Sequence, residues 1–410
     1  MVNRRKDNKK RVLKEGEYQR QNGTFEFKWR DALGNRHSIY AKTLEKLREK
    51  ELDILRASLE GIRTDSNIVT VNDLYKLWKD LKRGLKENTF QNYMYMYTQF
   101  VEETFGKAKI KDIKRTDVRA FYNTLSEQYG LKTNTIDSLH TVLHQVLELG
   151  VENEYIRYNP SDGALKELKR ACNKESIRVK ALTKEEQNLF TEFLKKPGKY
   201  NRWYPIFIFM LWTGMRVGEA TGIRWCDIDF ENDEITVDHT LVFFAHKEHK
   251  KCIYAINTPK TEAGKRTIPM LPIVKDALLM ERQLQKEFGI ECKSVIDGYT
   301  GFVFLNRYGE VHNIGTLNKA LNKIIRDCNF AQIDKTNSQD KVTLLPRFSN
   351  HSLRHTFTTR MCEAGVNIKA MQDILGHKDA ETTLQIYTDA TRDLKKREMR
   401  NLADYFKDVA

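Results

Sequence analysis

The chain has few cysteines, six in 410 residues at positions 172, 226, 252, 292, 328 and 362, and none forms a Cys-x-x-Cys pair. Such spacing argues against a disulfide framework and a zinc ribbon, and fits reduced thiols, mostly packing groups, in a cytosolic protein. Long apolar runs are missing. No stretch reaches the ~18 residues of a membrane helix, and no signal peptide is legible, so neither membrane spanning nor secretion is expected. A Walker loop, an Asp/Glu metal cluster and Cys/His zinc spacing are also missing, so neither a metal nor another cofactor is expected. Internal repeats are absent as well.

Positive charge is what the chain has in excess. Against 56 Asp and Glu stand 70 Lys and Arg, a formal net charge of +14. That balance points to a polyanionic partner, although a ribosomal or membrane-surface protein would share it. The length allows two or three domains, and a hydrophobic fraction of 40% supports ordinary cores.

Residues 1–14 carry seven Lys or Arg against one Asp. Three short β-type runs follow. Glu17 to Arg20 and Thr24 to Arg30 flank Gln21-Asn22-Gly23, where Asn-Gly is a strong hairpin signal. Leu33-Gly34-Asn35 makes a second turn before Arg36 to Tyr40. Phe25, Phe27 and Trp29 alternate with Glu26, Lys28 and Arg30, so one face can pack on a helix starting near Thr43. Leu44, Leu47, Leu52, Leu55 and Leu59 are its candidate core residues. The other face is expected to be polar and basic. A three-stranded sheet fits a DNA major groove, with Lys28, Arg30, Arg36 and Tyr40 as candidate contacts. A small protein-binding module is the competing explanation.

From Val71 to about Leu168 the pattern is helical. Leu74, Leu77, Trp78 and Leu81 form one stripe, Tyr93, Tyr97 and Phe100 mark another helix, and Thr116 and Thr133 look like N-caps of two more. These four helices end at Tyr158-Asn159-Pro160, and their Tyr and Met residues read as core. The polar segment 169–180 suits a linker. Thr183 to Glu186 then has capping-box form, opening a new domain. It is expected to contain a strand region at Glu234 to Phe244, a β-hairpin flanked by Ile253 to Asn257 and Lys265 to Ile268, a strand at Phe302 to Leu305 and a helix from Thr316 to Arg326. Residues 331–349 read as a polar loop.

The chemistry concentrates near the C-terminal end. His351-Ser352-Leu353-Arg354-His355, Leu375-Gly376-His377 and Tyr387 gather imidazoles, a guanidinium and a phenol within a few dozen residues. With Ser349 or Asn350 as N-cap, His351 opens a helix, and Arg354 falls one turn later on the same face. Both lie at the helix end whose unpaired N–H groups attract anions. Gly365 ends that helix. Asn367 caps a second, Ile368 to Leu375, which Gly376 closes just before His377. Tyr387 lies in a segment of one or two helical turns. On its own His-x-x-Arg is weak, because surface helices often carry such pairs.

A second piece lies upstream. Pro205 to Trp212 is apolar on every side and reads as a buried helix. Thr213-Gly214-Met215 breaks it, and Arg216-Val217-Gly218-Glu219 opens the next element. An arginine so placed is held rigidly, with Glu219 able to orient it. The plainer explanation is a surface ion pair of little energetic weight.

The segments Thr213 to Glu219, His351 to His355, Leu375 to His377 and the tyrosine at Tyr387 resemble, in order and spacing, the boxes of the tyrosine recombinase (phage-type integrase) family. They span roughly the C-terminal half, and the whole length is most similar to integrases of conjugative transposons. The resemblance implies a multidomain, mainly α protein with small β-sheets. An arm-type DNA-binding domain of three strands and a helix would occupy 1–66, a helical, SAM-like core-binding domain 67–168, a linker 169–180, and a mixed α/β catalytic domain with a C-terminal tail 181–410. It implies a catalytic set of Arg216, Lys260, His351, Arg354, His377 and the nucleophile Tyr387, supported by Glu219. Lys260 lies in the family's hairpin position, with Lys265 as its competitor, and His246, His249 and His355 read as structural or solvated.

The implied reaction is DNA strand cleavage and rejoining through a 3′-phosphotyrosyl link, integrating and excising a mobile element. A phenol with pKa near ~10 must lose its proton on attack, and His351 is the candidate to accept or guide that proton. Arg216 and Arg354 meet the charge that develops on phosphorus-bound oxygens, His377 adds a hydrogen bond, and Lys260 protonates the leaving 5′-oxygen. Double-stranded DNA at element ends is the implied partner, with an excision factor besides. Leu394, Met399, Leu402, Phe406 and Val409 recur at nearly helical spacing in the tail, which either packs on its own domain or joins a dimer to tetramer on DNA. A bacterial, nucleoid-associated cytoplasmic location is implied. A type IB topoisomerase would share the chemistry, but the arm-like N-terminal domain argues against it. An architectural DNA-binding protein with vestigial boxes is the rival from another class.

Overall fold

The computed structural model describes residues 5–30, 34, 36–59, 68–172, 181–246, 251–259, 265–334, 342–376, 399–400, 402–403 and 406. They fall into two compact units, Met1–Ser176 and Ile177–Ala410.

The first unit opens with β1 (Glu17–Gln19), β2 (Phe25–Arg30) and β3 (Arg36–Ala41), an antiparallel sheet in that order. Helix α1 (Leu44–Leu59) packs on it, with Leu13, Phe25, Leu44 and Leu47 buried between them. The expected core list needs two corrections, since Leu52 and Leu55 are exposed. Among the described side chains of α1 the buried ones are Leu44, Leu47, Glu51 and Ile54, spaced three, four and three apart, and that of Leu59 lies outside them. Leu52 and Leu55 each sit one residue, or about 100°, further round the helix. The sheet's other face is less uniformly basic than expected, because Glu26 is buried there among Arg20, Lys28 and Tyr40.

Next come α2 (Val71–Leu81), α3 (Glu87–Phe100), α4 (Arg115–Glu127), α5 (Thr133–Glu152) and α6 (Lys166–Cys172), with α2, α3, α4 and α6 packed on α5. Thr70 and Asp73 form a capping box at α2. Aromatic side chains fill the core, where the Tyr75 and Tyr97 rings stack at 3.5 Å and Tyr122 is fully buried. Thr116 and Thr133 are helical residues, not caps, for α4 starts at Arg115 and α5 at Thr133 itself. Leu81 ends its helix exposed. A fifth helix, α6, runs into the segment expected as linker and is described as far as Cys172.

In the second unit Thr183 and Glu186 make the expected capping box on α7 (Lys184–Lys195). The apolar run is α8 (Tyr204–Thr213), buried on nearly every side because it has no polar face to expose. It packs against α7, the short α9 (Val217–Gly222), α10 (Pro272–Phe288) and α12 (Asn350–Ala364). Small strands lie between: β4 (Ile228–Asp229), β5 (Glu234–Val237) and β8 (Arg266–Pro269) form one antiparallel sheet in the order β4-β5-β8, while β6 (Thr240–His246) pairs with β7 (Lys251–Asn257). Among the described residues the unit also holds helices α11 (Ile314–Ile333) and α13 (Ile368–Leu375).

Four expectations here are corrected. The flanks of residues 260–264 do not pair with each other, because the ladder edge of β7 is taken by β6 and β8 completes the sheet of β5. The strand region at Glu234 to Phe244 divides between those two sheets. Phe302 to Leu305 is buried but makes single bridges, Arg224 to Phe302 and Leu305 to Val311, and no ladder. The segment 331–349 is not simply a polar loop, since α11 runs to Ile333, and Leu345 and Phe348 are buried. Of the thiols, Cys328 and Cys362 are packed inside, whereas Cys226 and Cys252 are exposed.

Candidate active site

Helix α8 delivers the first site residue. It ends at Gly214, whose φ of +64° is left-handed and whose added Cβ would lie 2.4 Å from Cδ1 of Phe357 on α12. Glycine is therefore required both by conformation and by close approach. The reversal places Arg216 as N-cap of α9. Its backbone N–H donates to Oε2 of Glu219 at 2.9 Å and its Nη1 to Oε1 at 2.9 Å. Glu219 is buried, so this is no loose surface pair.

Arg354 comes from α12, which Ser349 caps and Gly365 ends as expected. The side chain is buried, with Nη1 donating to the Gly214 carbonyl at 2.8 Å and Nη2 to the Leu375 carbonyl at 2.7 Å. The end of α13 organises the cluster. Its Ile374, Leu375 and Gly376 carbonyls accept from Arg266 (Nε, 2.7 Å), Arg354 (Nη2, 2.7 Å) and Arg216 (Nη2, 3.4 Å) in turn. Terminal carbonyls lack intrahelical donors and carry the negative end of the helix dipole, so cations are the natural partners.

Charge is distributed unevenly. Burial pushes the Glu219 carboxyl up, but hydrogen bonds and charge from Arg266, then the charge of Arg216, overcome this and hold it at about 2. Burial and the adjacent Arg216 pull Arg354 down to about 9. Its hydrogen bonds go to carbonyls, and no carboxylate pairs with it among the described residues. Two guanidiniums so placed favour an incoming anion. His351, one residue into α12, is exposed, yet protein packs around part of its ring. That crowding, then the charges of Arg354 and Arg216, lowers its pKa and favours neutral imidazole. His355 meets it edge to face at 4.7 Å between ring centres.

Arg216, Glu219, His351 and Arg354 are thus brought together. Lys260, His377 and Tyr387 lie outside the described residues, although Gly376, the residue before His377, belongs to the cluster. Lys265 is exposed, immediately before β8. The sheet candidates Lys28, Arg30, Arg36 and Tyr40 are all exposed on one face of the first unit, where Arg30 pairs with Arg36 and Glu26 with Tyr40 across β2 and β3.

Sequence reasoning missed Arg266. Its Nη2 donates to Oε2 of Glu219 at 2.7 Å, and the signal was its place two residues before buried Ile268, on the same face of β8. Also missed was a group of potential metal ligands, Asp227, Asp238 and His239, with atoms within 4.8 Å of one another. Asp227 is ion-paired with Arg224 at 2.7 Å and Nε2 of His239 meets the Gly222 carbonyl at 2.7 Å, which makes this a satisfied scaffold.

The model of the phage integrase family matches residues 180–393, that of the DNA-binding domain of Tn916 integrase residues 1–58, and that of the phage integrase N-terminal SAM-like domain residues 70–126. The chain is similar to the transposase from transposon Tn1545 of Streptococcus agalactiae, at 29% identity covering 98% of this chain and 97% of that one. A tyrosine recombinase XerC-like protein of Caldanaerobacter subterraneus is 28% identical, covering 90% of this chain and 92% of its own. Among solved structures, the Tn1549 transposon integrase in complex with transposon right end DNA matches with a TM-score of 0.68 at 27% identity, covering 82% of this chain and all of that one.

Proposed function

Because this chain belongs to the phage integrase family and is a tyrosine site-specific recombinase that acts on DNA to integrate and excise a transposon, we propose that Arg216 and Arg354 bind the scissile phosphate. The observation that carries this assignment is the pair of guanidiniums, drawn from distant parts of the chain onto neighbouring carbonyls, with Arg354 lacking a carboxylate partner among the described residues. Tyr387 supplies the nucleophile. Its oxygen bonds to phosphorus as the bond from phosphorus to the 5′-oxygen breaks; His351 takes the phenol proton, and Lys260 gives one to the 5′-oxygen. His377 donates a hydrogen bond to the same phosphate. Esters are exchanged one for one, so the 3′-phosphotyrosyl link retains the energy needed for rejoining, and none of these steps calls on a metal or cofactor.

The remaining assignments follow the same reading. Residues 1–66 bind arm-type sites through the face carrying Lys28, Arg30, Arg36 and Tyr40, residues 67–168 bind the core site, and 181–410 hold the chemistry after a linker at 169–180 whose first residues continue α6 as far as Cys172. The tail joins protomers on DNA into a dimer or tetramer, and an excision factor acts on direction. Among the described residues no helix is long and apolar enough to cross a membrane. A nucleoid-associated location agrees with a DNA substrate.

The test uses duplex from the element ends, nicked beside the cleavage site so that the released fragment cannot religate. Wild-type protein is expected to accumulate a covalent adduct and Tyr387→Phe to form none while still binding. Binding by both proteins with adduct from neither would favour the architectural alternative.

A further inference from the structure

Arg266 makes contacts that the phosphate chemistry alone does not account for. Both oxygens of Glu219 are shared between two arginines. Oε1 accepts from Nη1 of Arg216 at 2.9 Å and from Nη1 of Arg266 at 3.3 Å, while Oε2 accepts from the Arg216 amide at 2.9 Å and from Nη2 of Arg266 at 2.7 Å. The two guanidiniums differ in exposure: the Arg266 side chain is 5% exposed, that of Arg216 43%. One therefore approaches the carboxylate from inside the fold and the other from the open side.

Charge balance gives the difference a purpose. A single guanidinium on Glu219 would close a neutral pair, and Arg216 would have to weaken that pair to meet a phosphate. With two, the triad keeps a net positive charge. We propose that Arg266 is a positioning residue that neutralises Glu219 from the buried side, so that Glu219 orients Arg216 while leaving its charge to the scissile phosphate. The Nε bond of Arg266 to the Ile374 carbonyl, at 2.7 Å, fixes the guanidinium where it can do this. It also ties β8, the strand that follows residues 260–264, to the helix end that precedes His377. The proposal rests on Arg216 being a phosphate ligand.

It is tested by single-turnover adduct formation on the nicked duplex, with DNA affinity and thermal unfolding measured alongside. Arg266→Gln is expected to keep DNA affinity but slow the adduct step roughly tenfold to a hundredfold, less than loss of a direct oxyanion donor. Adding Glu219→Gln to that variant removes the unbalanced carboxylate and should recover part of the rate, a recovery that a purely structural role would not give. Arg266→Lys, which keeps the charge, should be faster than Arg266→Gln. A double variant as slow as Arg266→Gln, or an Arg266→Gln protein as fast as wild type, overturns the proposal. Should Arg266→Gln not fold, Arg266→Lys decides: a folded protein with substantial rate supports it, and one that forms no adduct overturns it. Adduct formation unaffected by Arg216→Gln would remove the premise, and the proposal with it.

Discussion

His351 sits where burial, then the charges of Arg354 and Arg216, disfavour its charged form. The sign follows directly. With a pKa below the ordinary histidine value, the neutral base is present at neutral pH and is lost as pH falls through the lowered value. Measured with protein below its Kd for DNA, cleavage should be flat around neutrality, with an acid limb centred below 6.5. Under saturating DNA the phosphate's negative charge stabilises imidazolium, so the limb should move upward. His351→Gln should abolish the limb and slow adduct formation by about 10²- to 10⁴-fold, the range of a general base. A limb that survives the substitution would move the base role elsewhere.

Elements set these residues through a few local devices. Gly214 both ends α8 and offers its carbonyl to Arg354, so Gly214→Ala acts twice: it forces a side chain into a left-handed φ and drives a Cβ against Phe357. We expect a loss of about 1–3 kcal/mol by urea unfolding, and a slower adduct step in the folded fraction. On the N-terminal sheet, Lys28→Ala and Arg36→Ala should each lower the salt slope of arm-site binding by about 1 and leave cleavage of a core-only nicked duplex unchanged. Equal salt slopes in the variants and wild type would return the sheet to the protein-binding alternative. Such devices were largely legible in the sequence because they are local. Ser349, Gly365, Asn367 and Gly376 bound α12 and α13 by capping chemistry that a few residues specify. Strand pairing was not legible, because Ile253 to Asn257 and Lys265 to Ile268 look like hairpin partners until β6 and β5 compete for their edges. Arg266 escaped for the same reason: Glu219 is 47 positions away and Ile374 is 108.

At the scale of the molecule, the proposed reading has the tail dock on a neighbouring copy, so that cleavage waits for assembly on DNA. Of the described tail residues, Met399, Leu402 and Phe406 are 65%, 45% and 57% exposed. These three recur at a spacing of three and four, the spacing of one helix face, and on the proposed reading they meet a neighbouring copy. Such docking would couple assembly to the placement of the nucleophile. Truncation after Leu394 should therefore leave binding to a single core site intact while reducing both multimer formation on paired sites and the adduct yield per bound protomer. Met399→Glu with Leu402→Glu should reproduce the defect with the chain at full length, since a charge buried in an apolar contact is costly. Band-shift and adduct assays on the same samples separate the steps. Normal assembly and cleavage by the truncated protein would assign the tail to its own domain and require some other element to hold the nucleophile back.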